Sequence, residues 1–377
     1  MERLSRRRLF GAGAAGLALF TAACGDDDDP ESTPTPSFDP SGTPVGFIPG
    51  YEDPARWSGR TLRVAAWGGE VQEALRLMVW EPFARATGCT IQEQTTDYAF
   101  LRSSRDDGAV YADALIVDAE FAATAFDQGL AQAIPGEIAA DLLPRSDHSV
   151  PAYAYAMVNA FRRDAVDPPT MPPETWADWW DAATFPGART LFKGAFGSFE
   201  FALLADGVER DALYPLDFDR AIASLRTISG RIIDRWWESG LQPVSWLNSS
   251  RAEFASAWHY RVIAGQSEGQ PVELVWNQGL LVTDHWIVPP NAENADIAVD
   301  FIAYASRAEV QAGLARLIAL GPVTSEAFDL LDPLELAKLP TAPSNLATLV
   351  PQDVAWWVAN RGAAEERFNS WLLGVAG

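Results

Sequence analysis

Thr61-Leu62-Arg63-Val64-Ala65-Ala66-Trp67-Gly68-Gly69-Glu70 reads as a strand that runs into two glycines. Beyond them Val71, Ala74, Leu75, Met78 and Phe83 recur at helical spacing, which predicts a helix to about Ala86. A strand entering a helix through Gly-Gly leaves backbone N–H groups facing a cleft. Trp67 and Gly68 sit at the strand's carboxyl end, where open α/β sheets bind ligands. Two more strands are expected over residues 89–93 and 112–118, the latter ending at Asp118, with a helix over 122–130. Three strands with intervening helices describe a parallel, doubly wound lobe.

A strand-like run over 150–161 leads into Pro168-Pro169 and Pro172-Pro173, where the chain is expected to cross into a second lobe. Thr175 is placed to cap a helix starting at Trp176, and Asp217 to cap one starting at Phe218. Glu200 to Ala205 is helical, and Phe254 to Trp258 is a buried strand. Then come Trp258-His259-Tyr260-Arg261 and a short polar loop. Two apolar runs follow, Val272 to Trp276 and Leu280 to Val282, and then Asp284-His285-Trp286. Near Asp284 the chain recrosses, and the remainder is helical. The expected division is a leader over 1–23 and a linker over 24–56. Lobe 1 is 57–157 plus 285–330, lobe 2 is 158–284, and C-terminal helices over 331–377 pack on the lobes.

The net charge of −23 disfavours nucleic acid and anionic membrane as direct ligands. At the N-terminus Ser5-Arg6-Arg7-Arg8 precedes a small-residue apolar segment ending Thr21-Ala22-Ala23-Cys24. This resembles a twin-arginine export signal joined to a lipobox, with Cys24 the lipidated residue. The chain is therefore expected to be exported and lipid-anchored at the membrane, in the periplasm or on the cell surface. Residues 25–56 are a Pro-, Ser- and Asp-rich tether without core-forming residues. Cys89 has no internal partner and reads as a buried, inert thiol. The three His have no metal-ligand spacing, and no cofactor motif is present.

Glu200-Phe201-Ala202-Leu203-Leu204-Ala205-Asp206-Gly207-Val208 and Leu213-Tyr214-Pro215-Leu216-Asp217 resemble the spermidine/putrescine-type solute-binding proteins of ABC importers. So do Trp67-Gly68-Gly69, Trp176-Ala177-Asp178, Phe185-Pro186-Gly187 and Trp258-x-x-Arg261, in the same order, over about residues 60 to 372. The resemblance implies a type II periplasmic-binding-protein fold: two α/β lobes, each a mixed sheet flanked by helices, with the ligand between them. It implies a monomer that captures a small amine and presents it to membrane permease subunits, and no enzymatic activity. By position it points to Trp67, Asp118, Glu200, Trp258 and Asp284 as ligand contacts. Arg261 departs from the polyamine pattern, which has an acid there.

A buried ammonium needs a carboxylate and aromatic faces. Asp284, Glu200 and Asp118 with Trp67, Trp258 and Trp286 would supply both. Arg261 is a planar fork suited to a carboxylate. Arg261 and Asp284 together read as a detector of zwitterions such as an ω-amino acid, with linear polyamines next. The competing reading makes Arg261 a permanent structural partner of Glu200 or Asp284. A sugar-binding protein also fits the Trp count. An exported hydrolase fits less well, since no Gly-x-Ser-x-Gly elbow, P-loop or His-Glu-x-x-His occurs.

Overall fold

The computed structural model describes residues 48–166, 171–231 and 236–375. The twin arginine, Cys24 and the Asp26–Asp29 run lie outside them, as does the Pro168-Pro169 crossing.

The architecture is α/β around one mixed sheet. β1 (Thr61–Ala66) leads through Gly68 and Gly69 into α1 (Gly69–Leu75), which continues through a π turn (Arg76–Trp80) into α2 (Glu81–Thr87). β2 (Thr90–Thr95), α3 (Tyr98–Asp107), β3 (Ala114–Asp118) and α4 (Ala119–Ala125) complete the first half. β4 (Val150–Arg162) crosses to the second half, with α5 (Trp176–Trp180), β5 (Arg189–Thr190), α6 (Ala195–Ala205), α7 (Phe218–Ile228), α8 (Gln242–Asn248) and β6 (Phe254–Trp258). After α9 (His259–Ser267), β7 (Val272–Ile287) returns, and α10 (Ala295–Ala305) and α11 (Ala308–Ile318) follow. Short α12 (Pro333–Leu336), α13 (Pro343–Leu346) and β8 (Val350–Pro351) precede the long α14 (Val354–Val375).

The strand order is β2-β1-β3-β7-β4-β6-β5, with β8 beside β7. β1 is parallel to β2 and β3, as expected of a doubly wound half. The two long antiparallel strands β4 and β7 run through both halves, from Val150 opposite Trp286 to Arg162 opposite Val272. The two runs expected around Asn277-Gln278-Gly279 are thus one strand. Its register shifts between Met157 and Asn159 of β4, where residues 276–279 bulge out. Gln278 takes φ 61° there. Its side-chain oxygen accepts from Trp176 N at 3.0 Å, and its carbonyl accepts from Trp176 Nε1 at 3.0 Å. The turn signal in the sequence marks a bulge held by α5.

Apolar side chains collect on both sides of this crossing. One core joins Ala65, Leu115, Val117, Phe121, Leu130 and Ile287. A larger one joins Trp176, Trp179, Phe201, Trp237 and Phe254 with Trp357, Phe368 and Trp371 of α14. Thr175 caps α5 in a reciprocal box with Asp178, and Asp217 caps α7 by accepting from Arg220 N. The folded body starts earlier than residue 57. Ile48 is buried. The Tyr51 ring packs on Tyr304 at 4.8 Å, and Trp57 Nε1 donates to Asp300 at 2.7 Å. Residues 48–56 therefore strap onto α10, and the Pro and Gly that suggested a tether make turns there.

Candidate functional site

β1 and β6 run toward one another from opposite ends of the β4–β7 ladder. Asp118 of β3, the neighbour of β1, pairs with Asp284, whereas Trp258 ends β6 opposite Met157. Between the two carboxyl ends lies a cavity of about 320 Å³, at the small end of ligand sites. Its walls are Trp67, Gly68, Gly69 and Val71 from the first half, and Trp258, Tyr260 and Arg261 from the second. Tyr153 and Tyr155 of β4, Asp284 of β7 and Leu320 close it.

Asp284 is the anion of this cavity. Its carboxylate accepts from Trp67 Nε1 at 2.8 Å, Tyr153 OH at 2.9 Å and Tyr155 OH at 3.1 Å. Among the described residues no cation pairs with it. Burial pushes its carboxyl up to about 7, and the nearby charge of Asp118 adds to this, against the pull of the three donors. Tyr155 packs edge-on against Trp258 at 5.1 Å. Trp67, 40% exposed, packs edge-on against Tyr98 at 5.6 Å. Aromatic side chains thus surround the carboxylate and turn their N–H and O–H groups to it.

Arg261, in the first turn of α9, forms the opposite wall. It pairs with Glu70 of α1, Nη1 to Oε2 at 2.5 Å, with side chains 15% and 8% exposed. Burial raises the Glu70 carboxyl above its ordinary value, outweighing the Arg261 charge. The Arg261 guanidinium also lies 5.3 Å from the Tyr260 ring centre. α9 is fixed from behind by His259, whose Nδ1 accepts from Ala156 N at 3.0 Å and whose Nε2 donates to Ala319 O at 2.9 Å. Burial pushes His259 down to about 4, so the ring is a neutral staple.

Five of the sequence candidates meet at the cavity: Trp67, Gly68, Trp258, Arg261 and Asp284. Three do not. Glu200 is fully buried in the second core. It accepts from Gly197 N at 2.8 Å, Tyr214 OH at 2.9 Å and Trp357 Nε1 at 2.8 Å. That bond back to a residue three positions earlier is a capping contact at the kinked start of α6, which the sequence does not separate from a ligand contact. Trp286 shares a strand face with Asp284, but two residues along the strand it lies under α10, against Phe301 at 5.3 Å. Asp118 caps α4 by accepting from Phe121 N at 2.8 Å and also binds Tyr98 OH. It acts on Asp284 through its charge. The salt bridge to Arg261 expected from Glu200 or Asp284 is made instead by Glu70.

Sequence reasoning missed Tyr153, Tyr155 and Glu70. The two tyrosines were findable: two apart on a strand, they share a face. Glu70 gave no signal, because an acid in the first turn of a helix is common where the dipole favours it. Among the described residues no cluster of His, Cys, Asp or Glu could hold a metal ion, and no helix is long and apolar enough to cross a membrane.

Gly240 backs the Trp258 wall. A β-carbon there would stand 2.9 Å from Trp258 Cδ1. Gly240→Ala is expected to push the indole into the cavity at a cost of about 1 kcal/mol or more. Ligand affinity should fall severalfold in a calorimetric titration, and unchanged affinity would remove Trp258 from the binding wall.

Residues 79–345 match the sequence model of the bacterial extracellular solute-binding proteins. A gamma-aminobutyric acid-binding protein of Pseudomonas aeruginosa is 32% identical over 336 residues, 84% of this chain and 92% of that protein. The spermidine/putrescine-binding periplasmic protein of Escherichia coli is 24% identical over 230 residues, 60% of this chain and 63% of that one. Among solved structures, an ABC transporter substrate-binding protein from Bradyrhizobium japonicum superposes with a TM-score of 0.77 at 32% identity, covering 83% of this chain and all of that one. The Atu4243 GABA receptor gives 0.76 at 35% identity, covering 83% and 97%. With the fold, the cavity between its halves and these matches in agreement, the chain belongs to the bacterial extracellular solute-binding protein family.

Proposed function

We propose that this protein captures a small ω-amino acid, γ-aminobutyrate or a close analogue, and delivers it to an ABC permease from a lipid anchor at Cys24. The ligand's ammonium sits on Asp284 between Trp67, Tyr155 and Trp258, and its carboxylate turns toward Arg261. The observation that carries this reading is Asp284 itself: a buried carboxylate ringed by three neutral donors and, among the described residues, paired with no cation. An arriving ammonium offsets the desolvation that burial imposes. The likeness to proteins named for γ-aminobutyrate supports the same choice. One observation favours a linear polyamine instead: Glu70 already neutralises Arg261. A calorimetric panel of γ-aminobutyrate, putrescine and spermidine decides between the two. The proposal expects γ-aminobutyrate to bind at least tenfold more tightly than either polyamine, and the reverse order would replace it.

The charge state of Asp284 makes the binding pH-dependent. The cation needs the ionised carboxylate, whose empty-site pKa is about 7. Affinity should therefore fall as pH drops from 8 to 6, approaching roughly tenfold per unit at the acid end. The ligand's own amine and acid groups titrate near 10 and 4 and stay charged throughout. Titrations at several pH values check this, and a flat profile would place the ammonium elsewhere.

A further inference from the structure

We infer that Glu70 is an internal carboxylate that holds Arg261 while the site is empty and yields it to the acid end of the ligand, so that Glu70 helps to select which ligands bind. The inference rests on the amine-and-acid reading above.

The geometry of the pair points to exchange. The Glu70 contact to the guanidinium fork is Nη1 to Oε2 at 2.5 Å. Arg261 Nε and Glu70 Oε1 are both buried, and among the described residues neither has a hydrogen-bond partner. A buried ion pair stabilises a fold only when its remaining donors and acceptors are satisfied, and here one of each is left over. The Nε side of the fork is faced by Gly240, whose β-carbon position lies 3.8 Å from Nε. The same position lies 2.9 Å from Trp258 Cδ1, so the indole already occupies that side of the fork. A ligand carboxylate entering from the cavity can bind the fork with two parallel bonds. Glu70 itself lies between two cavity-wall residues, Gly69 and Val71, and Gly69 takes φ 63°. The acid that must leave is therefore attached at the cavity rim.

Self-occupation lowers the apparent affinity for any ligand that needs Arg261, by the fraction of molecules in which the fork is free. It does not tax an amine without an acid end. The protein thus discounts a carboxylate that has no amine to anchor it on Asp284.

Glu70→Gln tests this, with Glu70→Asp, whose shorter reach also releases the fork, as the second variant should the first not fold. Titration with γ-aminobutyrate is expected to show affinity about tenfold tighter in the variants than in the wild type. Titration with butylamine, which lacks the acid end, should show no comparable gain. Equal or weaker γ-aminobutyrate binding in the variants would overturn the inference and make Glu70 a structural partner of Arg261. Acetate serves as a probe that does not depend on the amine subsite. It should raise the melting temperature of the variants and leave the wild type unmoved, whereas equal shifts overturn the exchange. If γ-aminobutyrate binds neither wild type nor variants while acetate still discriminates, the proposed function fails and the exchange stands.

Discussion

Asp284→Asn is expected to weaken γ-aminobutyrate binding by roughly two to three orders of magnitude, since truncating one partner of a buried charge pair costs about 2–5 kcal/mol. The asparagine keeps the shape, and its oxygen can still accept from Trp67, Tyr153 or Tyr155. What it lacks is the charge facing the ammonium. The fold should not suffer. Burial raises the Asp284 pKa to about 7, so the empty wild type loses stability as pH rises from the ordinary carboxylate range through 7. The variant lacks that loss. Glu200, also raised to about 7 by burial, adds the same trend to both proteins and cancels in the comparison. Melting curves at pH 5 and 8 should show the variant gaining on the wild type at the higher pH. A variant that melts lower at pH 8 while still binding would mean that Asp284 is a structural acid.

Arg261→Gln should produce the second large effect. A carboxylate that loses a charge-assisted fork forfeits about 3 kcal/mol, or roughly 100-fold in affinity. Putrescine, whose second amine faces Arg261 with like charge, should lose nothing and is expected to bind more tightly in the variant. The substitution also leaves Glu70 buried without its cation, so some loss of melting temperature is expected, and the split between the two ligands is the informative readout. Equal losses for both ligands would mean that Arg261 shapes the cavity without reading a carboxylate.

Much of the frame is legible in the residues, because backbone geometry is local. The β1–Gly-Gly–α1 unit, the long β4, the caps at Thr175 and Asp217 and the buried β6 follow from period, capping and turn chemistry. α9 is less legible. His259 and Tyr260 are weak helix formers, and the helix start is fixed by bonds from His259 to β4 and to the end of α11. Asp284 and Arg261 stand out by charge in apolar company. Their partners do not, since Tyr153 and Glu70 reach them through pairings between segments far apart in sequence. Glu200 and Trp286 show the converse. The resemblance assigns the first to the ligand and aromatic chemistry suggests the second, yet each is consumed by a local packing need.

The most direct test is a crystal structure of the protein with γ-aminobutyrate. One ligand is expected in the cavity, its ammonium within hydrogen-bond distance of Asp284 and its carboxylate on Arg261, with Glu70 no longer on the fork. A ligand bound in the opposite sense, or outside the walls formed by Trp67 and Trp258, would contradict this arrangement.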